Sequence, residues 1–193
     1  ELVVRAVKRA LVIVDLPFLS FHVSIEDTLR NAGRVLKETG ASAVKLECGA
    51  KQADTIRALT DADIPVMAHV GLRPQSVLQL GGYRIQRDAE RLLHDARAAE
   101  QAGAFSLVLE CVPGPIAAQI TREVKIPTIG IGAGAECDGQ VLVTPDLLGL
   151  TPGNSPKFVK QFAQLRKIAS QAVGQYLAEV RDGSFPDEAH THH

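Results

Sequence analysis

Apolar runs of strand length recur along the chain, and most are followed by a stretch patterned like an amphipathic helix. Leu11–Asp15 is the first, stopped by Leu16-Pro17. Runs at 42–47, 65–70, 105–110 and 126–131 and a short one at 140–143 bring the expected strands to about six. Between them the apolar spacing lengthens from two residues to between three and four. That spacing predicts helices over about 24–39, 51–62, 87–101 and 115–123. Ser24 is placed to cap the first of these, with Asp27 as the other half of a weak capping box and Gly40 as its stop. Residues 1–10 read as a helix fragment with no capping residue in front. Asn154-Ser155-Pro156 predicts the start of a last helix over about 156–181. Residues 71–83, rich in turn formers, form a loop long enough to carry function.

Strands alternating with helices imply parallel strands joined by crossovers, and strands apolar throughout imply a sheet covered on both faces. An open doubly wound sheet and a (β/α)8 TIM barrel both satisfy this. The polar residues decide between them. Asp15, Glu47, His69 and Glu110 sit at or near the C-terminal ends of four different strands. A barrel builds its active site at that end, from several strands at once. A complete barrel needs eight βα units, so the expected fold is a barrel with its first two units absent from this chain, on the order of 60 residues. One domain over 1–193 is expected, with 184–193 as a mobile tail.

Composition narrows the function classes. The 193 residues carry 21 basic and 22 acidic side chains, for a net charge of −1, which argues against a nucleic-acid surface. Two Tyr, six Phe and no Trp offer no platform for stacking bases. No apolar run reaches bilayer length and no signal peptide opens the chain, so neither a membrane nor export is expected. Three cysteines, Cys48, Cys111 and Cys137, lack metal-finger spacing and read as free thiols of a reducing cytoplasm.

The chemistry centres on Ser42–Gly49. Read as a strand, it points Lys45 and Glu47 to one face and Val44 and Leu46 to the other. Burying an ammonium and a carboxylate there is costly without a partner or a purpose. Asp15, Glu47 and Glu110 supply three carboxylates, Lys45 a cation and His69 a neutral donor or ligand. Mg²⁺ suits such a set, because it binds through one or two carboxylates plus waters and substrate. It would polarise a chelated keto acid and acidify the neighbouring C–H, with a remaining carboxylate as base and the lysine beside the enolate charge. Each residue alone also has a structural reading: a strand-end acid caps a helix or pairs with lysine, and a lone histidine is hydrogen-bonded in a core. Four polar strand ends together favour a site. Ile129–Gly134 reads as a tight turn first and a ligand contact second. Cys48 and Cys111 read as packing residues, and His190, His192 and His193 as part of the tail.

One family unites these features. Asp15-Leu-Pro-Phe, Val44-Lys-Leu-Glu47, Pro65-Val-Met-Ala-His69-Val-Gly-Leu, Pro74-Gln-Ser, Gly81-Gly-Tyr, Leu109-Glu-Cys-Val-Pro113, Ile126–Gly134 and Asp138-Gly-Gln-Val-Leu-Val143 resemble, in order, the ketopantoate hydroxymethyltransferase family. The resemblance implies a (β/α)8 barrel. It also implies transfer of a hydroxymethyl group from 5,10-methylenetetrahydrofolate to 3-methyl-2-oxobutanoate in pantothenate biosynthesis, through a Mg²⁺-stabilised enolate. It makes Asp15 and Glu47 metal ligands, Asp15, Lys45 and His69 substrate-binding residues, and Glu110 the proton acceptor. A homo-oligomer, commonly a decamer, is also implied.

Three departures stand out. The family's further Asp-Ser pair, on an earlier strand, has no counterpart before Leu11. Ala10-Leu11 and the run from Tyr83 through Arg84 to Asp88 look shortened. These gaps read as segments missing from a longer chain. The rival functions are a Mg²⁺-dependent lyase or mutase on another α-keto acid, and a non-catalytic barrel fragment.

Overall fold

Six parallel strands form one sheet in the order of the chain: β1 (Ile13–Asp15), β2 (Ala43–Glu47), β3 (Val66–Gly71), β4 (Ser106–Glu110), β5 (Thr128–Ile131) and β6 (Gly139–Gln140). The structure, a computed structural model, describes residues 1–83 and 85–192. A doubly wound sheet reverses its strand order at a switch point. This sheet adds each strand on the same side as the last, as a barrel wall does. The fold is therefore α/β with a six-stranded parallel half-barrel.

Register divides the strand side chains between two faces. Val44, Leu46, Cys48, Val66, Ala68, Val70, Leu107 and Leu109 belong to one buried core. Against them lie Ala32 of α2 (Ile25–Thr39), Ile56 and Leu59 of α3 (Ala53–Asp61), Leu92, Leu93, Ala96 and Ala99 of α5 (Ala89–Gln101), and Ala117 and Ile120 of α6 (Gly114–Glu123). Each fully buried Leu, Ile or Val contributes about 1.5–3 kcal/mol, more than helix propensity supplies at these lengths. The other face carries Lys45, Glu47, Met67, His69, Ser106, Val108 and Glu110. Uniformly apolar strands were expected; the observed strands have one apolar face and one mixed face, and the mixed face bears the polar residues.

Local signals explain where the elements start and stop. Ser24 Oγ accepts a hydrogen bond from the Asp27 amide at 3.0 Å, and Gly40 ends α2 in a left-handed conformation, φ 73°. The N-terminal helix α1 is confined to Leu2–Ala6. Within the expected 71–83 loop, a 3-10 turn over Pro74–Ser76 runs into the short α4 (Val77–Leu80), stopped by Gly81. Between β5 and β6 there is no helix. Instead Asp138 Oδ2 accepts from the amide and hydroxyl of Thr128 at 2.8 and 3.0 Å, and Gln140 Nε2 donates to the Gly134 carbonyl at 2.8 Å. The glycine run is thus a tight, cross-braced turn.

Two compact units divide the chain, Glu1–Val141 and Leu142–His193. The second holds α7 (Thr144–Leu147) and α8 (Leu165–Asp182). The last helix begins at Leu165, not at Pro156, because the preceding amides bond elsewhere. Phe162 N donates to Leu147 O at 2.9 Å, and Leu165 N to Leu148 O at 3.1 Å. Within 184–192, expected as a tail, Glu188–His190 forms a 3-10 turn capped by Asp187, and Phe185 lies between the rings of Tyr176 and His190. Arg84 and His193 lie outside the described residues. Among the described residues, no helix is long and apolar enough to cross a membrane.

Candidate active site

Sheet register stacks the polar residues in three rungs on the mixed face. Asp15 lies opposite Lys45, Glu47 opposite His69, and Glu110 opposite Gly71, each rung two residues beyond the last. Lys45 Nζ stands 2.8 Å from Asp15 Oδ1 and 3.2 Å from His69 Nδ1. His69 Nε2 stands 3.2 Å from Glu110 Oε2. One polar path therefore crosses four strand ends, from an Asp15 side chain 54% exposed to a His69 side chain 3% exposed. An ammonium only donates, so Nδ1 of His69 accepts and Nε2 carries the ring proton. That N–H points off the line to Glu110 and, among the described residues, has no hydrogen-bond partner, although it is buried.

Glu47 is held from the β3 loop. The Gln75 amide forks to both of its oxygens, at 3.0 and 3.2 Å, while Gln75 Nε2 donates to the carbonyl of Leu16 at 2.8 Å. Burial pushes the Glu47 carboxyl above its usual range, against the pull of the Gln75 amide and of His69 and Lys45. The charge of Asp15 adds to the upward push, which places the two acids within electrostatic reach of each other.

Backbone geometry fixes Glu110. The Leu72 amide donates to its carbonyl at 2.8 Å, and a Cβ on Gly71, at φ 97°, would stand 2.4 Å from that same oxygen. Cys111 follows in the left-handed region, φ 51°, uncommon for a residue with a side chain, and its amide donates to Ile131 at 2.8 Å. Cys48 is a core residue whose burial raises its thiol to about 12. Cys111 is only half-buried, so its place is set by the turn it makes after Glu110 and not by core packing.

A divalent cation fits this donor set in one way. Among the described residues no group of three or more His, Cys, Asp or Glu is gathered to form a full protein cage. Asp15 and Glu47 are two carboxylates on adjacent strands, and Oε1 of Gln75, whose amide holds Glu47, is a buried acceptor with no partner among the described residues. The pair suits Mg²⁺, which rarely takes an all-protein cage and binds through one or two carboxylates completed by waters and substrate.

All five residues singled out in the sequence, Asp15, Lys45, Glu47, His69 and Glu110, stand on this one face. Sequence reasoning missed Gln75 as a contact to Glu47, and Gly71 as the space beneath Glu110. The proline at 74 was the available signal, since it starts a turn directly after a strand end.

Comparison with known proteins agrees with these motifs. The sequence model of a family described as ketopantoate hydroxymethyltransferase matches residues 1–188. A 3-methyl-2-oxobutanoate hydroxymethyltransferase of Syntrophomonas wolfei is 53% identical over 97% of this chain and 70% of its own length. One from Geobacter metallireducens, of the same description, is 55% identical over 98% of this chain and 72% of its own. Among solved structures, a Burkholderia cenocepacia protein provisionally named a phosphonomutase matches 93% of this chain and 74% of its own, with a TM-score of 0.50 and 22% identity. That last likeness concerns the fold alone.

Proposed function

The chain belongs to the ketopantoate hydroxymethyltransferase family, and we propose that the three-rung strand-end cluster is where it performs that family's hydroxymethyl transfer. The chain is a hydroxymethyltransferase of pantothenate biosynthesis. In our reading its acceptor is 3-methyl-2-oxobutanoate, its one-carbon donor 5,10-methylenetetrahydrofolate, and its half-barrel part of a (β/α)8 barrel.

Held by Asp15 and Glu47, Mg²⁺ would act as a Lewis acid on the keto acid's carbonyl and acidify the adjacent C3–H. The remaining steps fall to side chains. Glu110 accepts the C3 proton through its carboxylate. Lys45 has spent two of its three N–H donors on Asp15 and His69, and the third serves the negative charge of the ligand. His69 offers its unsatisfied Nε2–H, either orienting the Glu110 carboxylate or holding a substrate oxygen. The C3 carbanion equivalent attacks the methylene carbon as one of its two bonds to folate nitrogens breaks; water then displaces the second nitrogen to leave the hydroxyl, and the C3 proton and a water proton end on the two nitrogens of tetrahydrofolate. The carrying observation is the Asp15–Lys45–His69–Glu110 path, which brings a base, a cation and a free donor together across four adjacent strands.

Assembly into a homo-oligomer belongs to the same reading. In α8 no residue is buried, and Leu165, Ile168, Val173, Tyr176, Leu177 and Val180 are all exposed, which supports a face covered by another copy. A cytoplasmic site is supported by the three unpaired cysteines, whose thiols burial keeps protonated. Product formation tests the reading against a lyase or mutase on another keto acid. Formation of 2-dehydropantoate from 3-methyl-2-oxobutanoate should require 5,10-methylenetetrahydrofolate. Consumption of the keto acid at the same rate without the folate would favour the lyase.

A further inference from the structure

We propose that Gln75 is a positioning residue that sets the spacing between the Asp15 and Glu47 carboxylates; this rests on the metal-binding role given to those two acids above.

Gln75 joins three strand ends. It sits in the 3-10 turn that follows β3, its amide forks to both oxygens of Glu47 at the end of β2, and its side chain reaches the carbonyl of Leu16, the residue after Asp15 on β1. The two hydrogen bonds leave different atoms of one residue, so moving Gln75 moves both acids' supports together. No other hydrogen bond from the β3 loop to Leu16 or Glu47 is present among the described residues. The ends of β1 and β2 are also joined by the Leu16 amide, which donates to the Lys45 carbonyl at 2.9 Å. That bond fixes the backbones side by side and leaves the Glu47 carboxylate free to turn. Among the described residues, the Gln75 amide alone constrains the carboxylate itself from the main chain.

The amide orientation follows from its partner. The Leu16 carbonyl can only accept, so nitrogen faces it and Oε1 faces away. Oε1 is buried and has no partner among the described residues. An unsatisfied buried acceptor costs about 1–3 kcal/mol. Such an acceptor is tolerated where a ligand supplies the missing donor, and a water on a cation held by Asp15 and Glu47 would be a donor of that kind.

The test uses Gln75→Leu, similar in volume but without the amide, and Gln75→Asn, which keeps the amide one methylene too short to reach Leu16. Both retain the main-chain N–H to Glu47. Binding of Mn²⁺ alone, measured as loss of the free-ion paramagnetic signal, should weaken about tenfold in each variant. The Mg²⁺ concentration for half-maximal rate should rise by a similar factor, with most of kcat regained at saturating Mg²⁺. A residue that only props up the loop would lower the melting temperature and leave both ion dependences in place. Mn²⁺ affinity within twofold of the parent protein in both variants would overturn the proposal, as would failure of both to fold. Glu110→Gln serves as the control. If it keeps proton exchange at C3 of the keto acid, the catalytic reading fails whatever Gln75 does. If it loses exchange while the Gln75 variants bind Mn²⁺ normally, the present inference alone fails.

Discussion

Lys45 and His69 stand in adjacent strands with Nζ 3.2 Å from Nδ1, and this contact dictates where the histidine keeps its proton. With an ammonium on one side, only Nε2 can be the N–H, and Nε2 faces the Glu110 end of the site. Replacing the lysine by Lys45→Met removes both the cation and the reason for that tautomer. Nitrogen chemical shifts of His69 should report an Nε2–H imidazole in the parent and a mixed population in the variant. Turnover should fall by at least about a hundredfold, the scale of losing one electrostatic donor. A parent spectrum with the proton on Nδ1 would contradict the assignment.

Gly71→Ala should displace Glu110 without touching its side chain. The added methyl would stand 2.4 Å from the Glu110 carbonyl and the backbone is at φ 97°, so both sterics and conformation oppose it. Overpacking of this kind costs about 1–3 kcal/mol. Denaturant titration should show that loss, and the folded fraction should turn over more slowly than the parent. Gly82→Ala is the comparison: it too has positive φ, 126°, but a Cβ there meets nothing within 4 Å, so it carries the conformational cost without the clash.

Glu47 is a functional acid held at a cost to the fold. Its carboxyl is shifted upward by burial, so the folded protein holds this proton more tightly than the unfolded chain. The sign follows: this group lowers stability as pH rises through its unfolded and then its folded value, and the loss is complete only above the folded one. Glu47→Gln, which has no charge to desolvate, should therefore raise the melting temperature at a pH above the folded value. The gain should shrink below the ordinary carboxyl range. Metal-dependent activity should drop in the same variant.

Apolar residues along α8 predict a concentration-dependent assembly. Ile168 is 59% exposed and Tyr176 52% exposed. A double substitution, Ile168→Glu with Tyr176→Lys, should shift sedimentation toward the single chain while leaving the far-ultraviolet helix signal in place. Unchanged sedimentation would place the contact elsewhere.

Much of this was legible in the sequence because strand ends advertise themselves. The apolar runs before Asp15, Glu47 and Glu110 located β1, β2 and β4 within two residues, and period-two alternation put Lys45 and Glu47 on one face. Ser24 and Gly40 bounded α2 as their chemistry requires. The start of α8 was misplaced, since Ser155-Pro156 carries a start signal while the amides of Phe162 and Leu165 bond back to the turn after α7. The fork from Gln75 to Glu47 was not legible, because a main-chain amide has no signature in sequence and the two residues are far apart in the chain. The covering of the sheet was misjudged in part: Met67 and Val108 look like core residues in a string of letters, yet they share a face with His69 and Glu110.

Proton exchange at C3 of 3-methyl-2-oxobutanoate tests the central claim most directly, because it isolates the carboxylate's step from the folate half of the reaction. With tritium or deuterium at C3 and no folate present, the parent protein should release label in a Mg²⁺-dependent manner, and Glu110→Gln should release it at least about a hundredfold more slowly. Release from Glu110→Gln at the parent rate would contradict the account.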